Sequence, residues 1–203
     1  MGTIRSSDER LEAKPSLGNK VVAIGASTGG PQALTYVLTK LPPNIPPILI
    51  VQHMPEGFTK PFAERLDRIC KFKVKEAEEG DYVSKDLVLI APGGFHMTVS
   101  RTGRIHLEDG PLIHYVKPAV DPMMETVARY YKSKAIGVLL TGSGRDGALG
   151  MKRIKEKGGV TIAQDEKTSV VFGMPKAAIE EGCVDIILPL HEIPREIMRR
   201  CRE

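Results

Sequence analysis

The sequence predicts an α/β fold: a doubly wound, mainly parallel sheet with helices on both faces and one β-hairpin. Three observations carry that prediction. Short, almost wholly apolar runs at 21–25 (VVAIG), 48–51 (ILIV) and 135–140 (AIGVLL) read as strands buried on both faces. Each is followed by a glycine- or proline-marked bend and then by a segment of helical periodicity. Only residues 96–108 offer two adjacent short strands around a tight turn.

Residues 1–19 are charged, nearly without large apolar side chains, and carry Pro15 and Gly18. They read as a linker or tail, and the domain is expected to occupy residues 20–203. The first strand runs into Gly25-Ala26-Ser27-Thr28-Gly29-Gly30, and 31–40 continues as an amphipathic helix. A second strand, 48–51, ends just before His53, where Pro55 and Gly57 open a loop. Residues 59–70 form a helix with Phe62, Leu66 and Ile69 expected on its buried face. Strand-like stretches follow in KFKVKEA and DLVLIAP, and then HMTVS and RIHLE pair as a hairpin turned at Thr102-Gly103. A helix over 118–132, the strand 135–141, a second glycine-rich bend (TGSGRDGALG, 141–150) and a helix through Lys157 come next. The chain closes with VTIAQD as strand, MPKAAIEEG as helix, VDIILPL as strand and a terminal helix.

Composition narrows the function. At 203 residues, with 41% hydrophobic and 27% charged residues, the chain is sized for one ordinary globular domain. The net charge of +4 is spread among interleaved acidic and basic residues, and aromatic residues are only 5% with no Trp. That pattern excludes a nucleic-acid surface. No apolar run nears the roughly 18 residues of a membrane span, and the N-terminus lacks a signal-peptide core, so a cytoplasmic protein without membrane insertion is expected. Cys70, Cys183 and Cys201 are widely spaced and read as free thiols rather than as disulfide or zinc ligands.

Ser27, His53 and Asp146 each lie just past the end of a separate strand, at the edge of the sheet where ligands bind. A serine hydroxyl needs a base to take its proton, and an imidazole does so best when a carboxylate holds its other nitrogen. Gly25 to Gly29 also fit the G-x-S-x-G nucleophile pattern. The order Ser, His, Asp differs from that of the α/β-hydrolases, so that fold is not implied. Each residue has a plainer explanation: Ser27 in a phosphate-binding turn, His53 as an ordinary histidine, Asp146 as a cap for the helix that follows it.

Two other functions compete. A short-chain dehydrogenase is suggested by IGASTGG together with Tyr130 and Lys134, but Pro31 stands where a last loop glycine belongs and no acidic residue follows the second strand. A binding module holding a phosphorylated ligand on the two glycine-rich bends is the non-enzyme alternative.

Longer blocks decide among them. IGASTGGP (24–31), VQHMPEGFT with FAERL (51–66), APGGFHM (91–97), KPAVDPMM (117–124), TGSGRDGALGM (141–151) and AQDEKTSVVFGMPKAA (163–178) resemble the chemotaxis receptor methylesterases, CheB. The resemblance runs through nearly everything after residue 20. It implies that Ser27 is the nucleophile, His53 the general base and acid, and Asp146 the carboxylate that orients His53. Backbone N–H groups near Thr28 and Gly29, with a contribution from the Ser143 bend, are expected to hold the oxyanion. The family hydrolyses glutamyl γ-methyl esters on the cytoplasmic helices of chemoreceptors and can deamidate certain receptor glutamines, without cofactor or metal.

The chain departs from the family pattern at Ser143, where methionine is expected, which bears on the pocket beside Asp146. The family also carries an N-terminal receiver domain, phosphorylated by the chemotaxis histidine kinase. By that resemblance residues 1–19 are the end of an interdomain linker, and the chain is expected to be an effector domain free of its inhibitor. His96 and Met174 lie in family-like blocks and are expected to be candidates for the substrate groove. Met97, Met123, Met124, Met151 and, on the plainer reading, Met174 are expected to fill the core.

Overall fold

The computed structural model describes residues 20–203. The expected linker, residues 1–19, lies outside the described residues. Seven parallel strands form the central sheet: β1 (Val21–Ala26), β2 (Ile48–Gln52), β3 (Lys73–Glu76), β4 (Leu87–Ile90), β7 (Ala135–Leu139), β8 (Val160–Gln164) and β9 (Ile186–Leu188), in the order β3-β4-β2-β1-β7-β8-β9. The two remaining strands, β5 (His96–Val99) and β6 (Ile105–Glu108), make the separate antiparallel hairpin, turned at Thr102-Gly103 as expected. Every residue of β1, β2 and β7 is buried, because each strand has a layer of helices on either side.

Side-chain alternation along these strands supplies two cores. Val22, Ile24, Ile48 and Ile50 face helices α1 (Gly30–Lys40), α2 (Thr59–Ile69) and α6 (Ile193–Cys201). Val21, Ala23, Leu49 and Val51 face α3 (Val120–Tyr131), α4 (Ala148–Glu156), α5 (Met174–Glu180) and the hairpin. Met97, Met123, Met124 and Met151 are fully buried in this second core, as their core-filling reading expects. One detail of the helix reading changes: α2 buries Thr59, Phe62, Ala63 and Leu66, whereas Ile69 is exposed in the last turn as the chain peels away toward β3.

Strands β3 and β4 are consecutive yet parallel, and no helix crosses between them. Residues 77–86 make the return instead, tied to the hairpin by Gly80 N–H to Ile105 O, Ile105 N–H to Asp81 O and Val83 N–H to Gly103 O. Cys70, Cys183 and Cys201 are free thiols, and burial pushes the Cys70 and Cys201 thiols up to about 11. They stay protonated near neutral pH and are poor nucleophiles.

Candidate active site

The sheet order sets β1 between β2 and β7, so the segments that leave their carboxyl ends meet at one edge. Ala26 pairs with Gln52 at the end of the β1–β2 ladder, and the His53 N–H continues it by donating to Ala26 O at 3.0 Å. Ser27 and His53 are therefore the next residues along two adjacent parallel strands. On the other side of β1, the Ser27 N–H donates to Thr141 O at 3.0 Å. A Cβ added to Gly142 would stand 2.8 Å from the Ser27 Cβ, so only glycine lets the second bend close this tightly on the first.

Asp146 is 1% exposed and faces His53 from that second bend. Its Oδ2 lies 2.7 Å from His53 Nε2 and accepts the Val120 N–H at 2.6 Å, while Oδ1 accepts the Asp121 N–H at 3.0 Å. The carboxylate thus sits at the N-terminus of α3, where unpaired N–H groups and the helix dipole favour negative charge. Asp146 does act as a helix cap, but for α3, not for the helix that follows it. The N–H groups of Gly147 and Gly150, at the start of α4, go to Asp121 Oδ1 at 2.9 and 2.8 Å. Each aspartate opens one helix and caps the other.

Burial pushes the Asp121 carboxyl above its ordinary range; the Gly150 N–H and His114 oppose that shift and the neighbouring Asp146 carboxylate adds to it. His114 Nε2 lies 2.8 Å from Asp121 Oδ2. His114, Asp121 and Asp146 offer ligand atoms within 4.8 Å of one another, the spacing of a cation site. All four carboxylate oxygens, however, already face N–H groups of the backbone or of an imidazole. Inward-pointing donors of this kind would repel a cation, so the residues do not fit a metal.

With Nε2 committed to Asp146, His53 has Nδ1 left to work with. No hydrogen bond joins Ser27 Oγ to His53 in this state; such contacts commonly tighten only when substrate is bound. Among the described residues the N–H groups of Thr28 and Gly29 have no acceptor. Gly29, with φ of +79°, and Gly30 begin α1, so these N–H groups lie at a helix N-terminus. The turn is braced by the Thr141 hydroxyl, which donates to Thr28 O at 2.9 Å and accepts the Val171 N–H. Gln164 holds that brace in place: its Oε1 accepts the Thr141 N–H at 2.7 Å and its Nε2 donates to Thr168 O. Ser143 is exposed in the second bend, and its N–H has no acceptor among the described residues.

His96 and Met174 are not available to a substrate groove. His96 is 3% exposed; its Nε2 meets Pro111 O at 2.8 Å and its Nδ1 accepts the Ala119 N–H, which satisfies the ring within the core. Met174 is fully buried under Gly142. Exposed apolar side chains include Phe58, Phe95 and Val170, on the segments that leave the carboxyl ends of β2, β4 and β8, and Leu112 and Tyr115, on the segment that precedes α3. Tyr130 and Lys134 of the dehydrogenase reading lie at the far end of α3, about 15 Å along its axis from Val120. They open onto the start of β7 rather than its carboxyl end, which removes that reading.

Sequence reasoning did not single out Gln52, Asp121, Thr141 or Gln164. A signal was available for the two glutamines: Gln52 is the one polar residue of β2, and Gln164 closes β8 after the apolar Ile162 and Ala163.

The chain is similar to known proteins over most of its length. The family described as CheB methylesterase matches residues 22–197. A Pyrococcus abyssi protein named protein-glutamate methylesterase/protein-glutamine glutaminase is 53% identical over 193 residues, which are 93% of this chain and 52% of that protein. A Geobacter metallireducens protein of the same name, numbered 3, is 51% identical over 90% of this chain and 52% of its own length. This chain spans about half the length of these curated relatives. The crystal structure of the Thermotoga maritima CheB methylesterase catalytic domain superposes with a TM-score of 0.86 at 48% identity, covering 89% of this chain and 98% of that one.

Proposed function

The chain belongs to the CheB methylesterase family, and we propose accordingly that it is a serine hydrolase removing methyl groups from glutamyl γ-methyl esters of chemoreceptors, with deamidation of receptor glutamines as a second activity. The observation that carries this reading is the 2.7 Å contact of His53 Nε2 with a buried, helix-capped Asp146, one ladder step from a serine in a turn with unpaired N–H groups.

The chemistry follows from those groups. Ser27 Oγ attacks the γ-carbonyl carbon while His53 Nδ1 takes the hydroxyl proton. The carbonyl oxygen gathers negative charge against the Thr28 and Gly29 N–H groups, and Asp146 stabilises the imidazolium. The tetrahedral adduct collapses as His53 returns the proton to the departing methoxide, which leaves as methanol. Water then attacks the acyl-serine, His53 again taking the proton, and the glutamate carboxylate and free Ser27 result. With a glutamine substrate the leaving group is ammonia.

The N–H of the Ser143 bend is a proposed third donor, one that does not depend on which side chain stands at 143. The exposed Phe58, Phe95, Tyr115 and Val170 support contact with an apolar stripe on receptor helices. A receiver domain joined through residues 1–19, and the histidine kinase that phosphorylates it, are proposed partners on the strength of the family alone. No described helix is long and apolar enough to cross a membrane, which accords with a cytoplasmic site of action.

The test is methanol release from methylated chemoreceptor membranes. Wild type is expected to release methanol. Ser27→Ala is expected to lose about 10⁶-fold, which is background. Equal release from both proteins would return the two bends to the role of a binding module.

A further inference from the structure

Gln52 is 2% exposed, closes β2, and lies beside both Ser27 and His53. Its Nε2 lies 3.0 Å from Ser27 O and 3.1 Å from His53 O. One carboxamide therefore spends its two protons on the carbonyls of the two residues that must exchange a proton. The orientation of the amide is fixed by its surroundings, since the flipped form would set an oxygen against both carbonyl oxygens. Ser27 O is also held by the Gly30 N–H at 2.8 Å. No other donor to His53 O is found among the described residues.

The other end of the same amide argues that packing does not explain it. Oε1 is buried and has no hydrogen-bond partner among the described residues. It presses on Gly30, where an added Cβ would come within 1.9 Å of it. The second glycine of the turn is thus accounted for by this amide, with no need of a phosphate. A methionine or leucine would fill the space without the orphaned Oε1, but it would leave His53 O without a donor. What such a residue could not supply is the pair of protons.

We infer that Gln52 is a positioning residue for the hydrolysis proposed above: its carboxamide fixes the separation and facing of Ser27 and His53. The inference rests on that hydrolase reading for its catalytic part and on geometry alone for the tether. A misplacement of about 1 Å between reacting groups can cost about 100-fold in rate. The tether acts on the backbone beneath the two side chains and touches no substrate, so the loss falls on kcat and leaves KM within about twofold.

The experiment compares wild type, Gln52→Met and Gln52→Glu in methanol release from methylated chemoreceptor membranes, with near-UV circular dichroism as the check on folding. Methionine matches the length and supplies no proton. Glutamic acid, buried between two carbonyl oxygens, is held protonated and supplies one. The expected order of kcat is wild type, then Gln52→Glu, then Gln52→Met about 100-fold below wild type. A purely packing role gives the reverse order for the variants, and Gln52→Met within about threefold of wild-type kcat overturns the inference.

Wild-type NMR provides the independent arm. Both Gln52 carboxamide protons are expected to exchange slowly and to couple across hydrogen bonds to the Ser27 and His53 carbonyl carbons. Absence of those couplings overturns the tether even if neither variant folds. Wild type releasing no methanol with the couplings present would sink the hydrolase reading, and the catalytic role of Gln52 with it.

Discussion

Asp146 meets three polar groups with its two oxygens, and those groups are arranged for a carboxylate. Two backbone N–H groups and one imidazole nitrogen point at it, and all three favour an anion. An amide has only one acceptor atom, so Asp146→Asn sets an NH₂ against at least one of those donors. On the proposed mechanism the expected result is a loss of about 10⁴-fold in kcat, the size seen when the carboxylate of a serine-protease triad is made an amide. Steady-state methanol release measures it. The same substitution leaves a buried N–H without an acceptor and is expected to cost about 1–3 kcal/mol in a urea titration. A residue that merely capped a helix would show the stability loss with little change in kcat.

Among the helices, the start of α3 and the start of α4 are fastened to each other by exchanged aspartates, and the second bend is stretched between them. Asp121 is the half of that exchange that never meets the imidazole of His53. Asp121→Asn keeps one acceptor for the Gly147 and Gly150 N–H groups but turns a donor toward the remaining contacts. The expected loss is about 1–3 kcal/mol, which for a domain of this size lowers Tm by a few degrees per kcal/mol, roughly 2–4 °C. Differential scanning calorimetry reads it directly. A drop in kcat is expected with it, because Asp146 moves relative to His53.

At the other end of the chain, α6 has a charge cluster of opposite consequence. Arg199, followed by Arg200, holds the Glu196 carboxyl down to about 2 from an ordinary 4.5. A carboxylate whose pKa is lowered by folding stabilises the native state fully above its unfolded value and loses that contribution as pH falls through the folded one. The stability conferred by Glu196 is therefore expected to fade between about pH 4.5 and pH 2. Denaturation midpoints across that range should fall less steeply for Glu196→Gln than for wild type. Methanol release at neutral pH is expected to be unaffected, since α6 packs on the sheet face away from α3.

For the whole molecule, the sheet separates two cores that share strands but not duties. The core under α1, α2 and α6 lies on the face away from Asp146; the core under α3, α4 and α5 lies on the face whose helix α3 Asp146 caps. Ile50 is fully buried on the former face, at the centre of β2. Ile50→Ala is expected to cost about 2–5 kcal/mol while kcat per folded molecule stays near wild type. Chemical denaturation followed by assay under conditions where the variant is folded tests both halves. A large fall in kcat would mean that the two faces are mechanically coupled through the strand.

The sequence alone determined the strands, the helices, the hairpin and the three residues at the strand ends. Those features are local: a run of apolar residues, the period of the next segment and the glycines at a bend all act over a few residues. Ser27, His53 and Asp146 stand out as candidates because the chemistry of each is unusual at its position. Ile69 was misjudged because helical periodicity cannot tell where the last turn leaves the core. The partnerships were not legible. That Asp146 caps α3 rather than α4, that Asp121 returns the favour, and that Gln52 reaches Ser27 O across 25 residues depend on which backbone groups the packed elements bring together. Only the tertiary structure decided them, because an N–H or carbonyl has no identity in the sequence: every residue carries the same pair, and only the completed packing selects which of them a buried side chain meets.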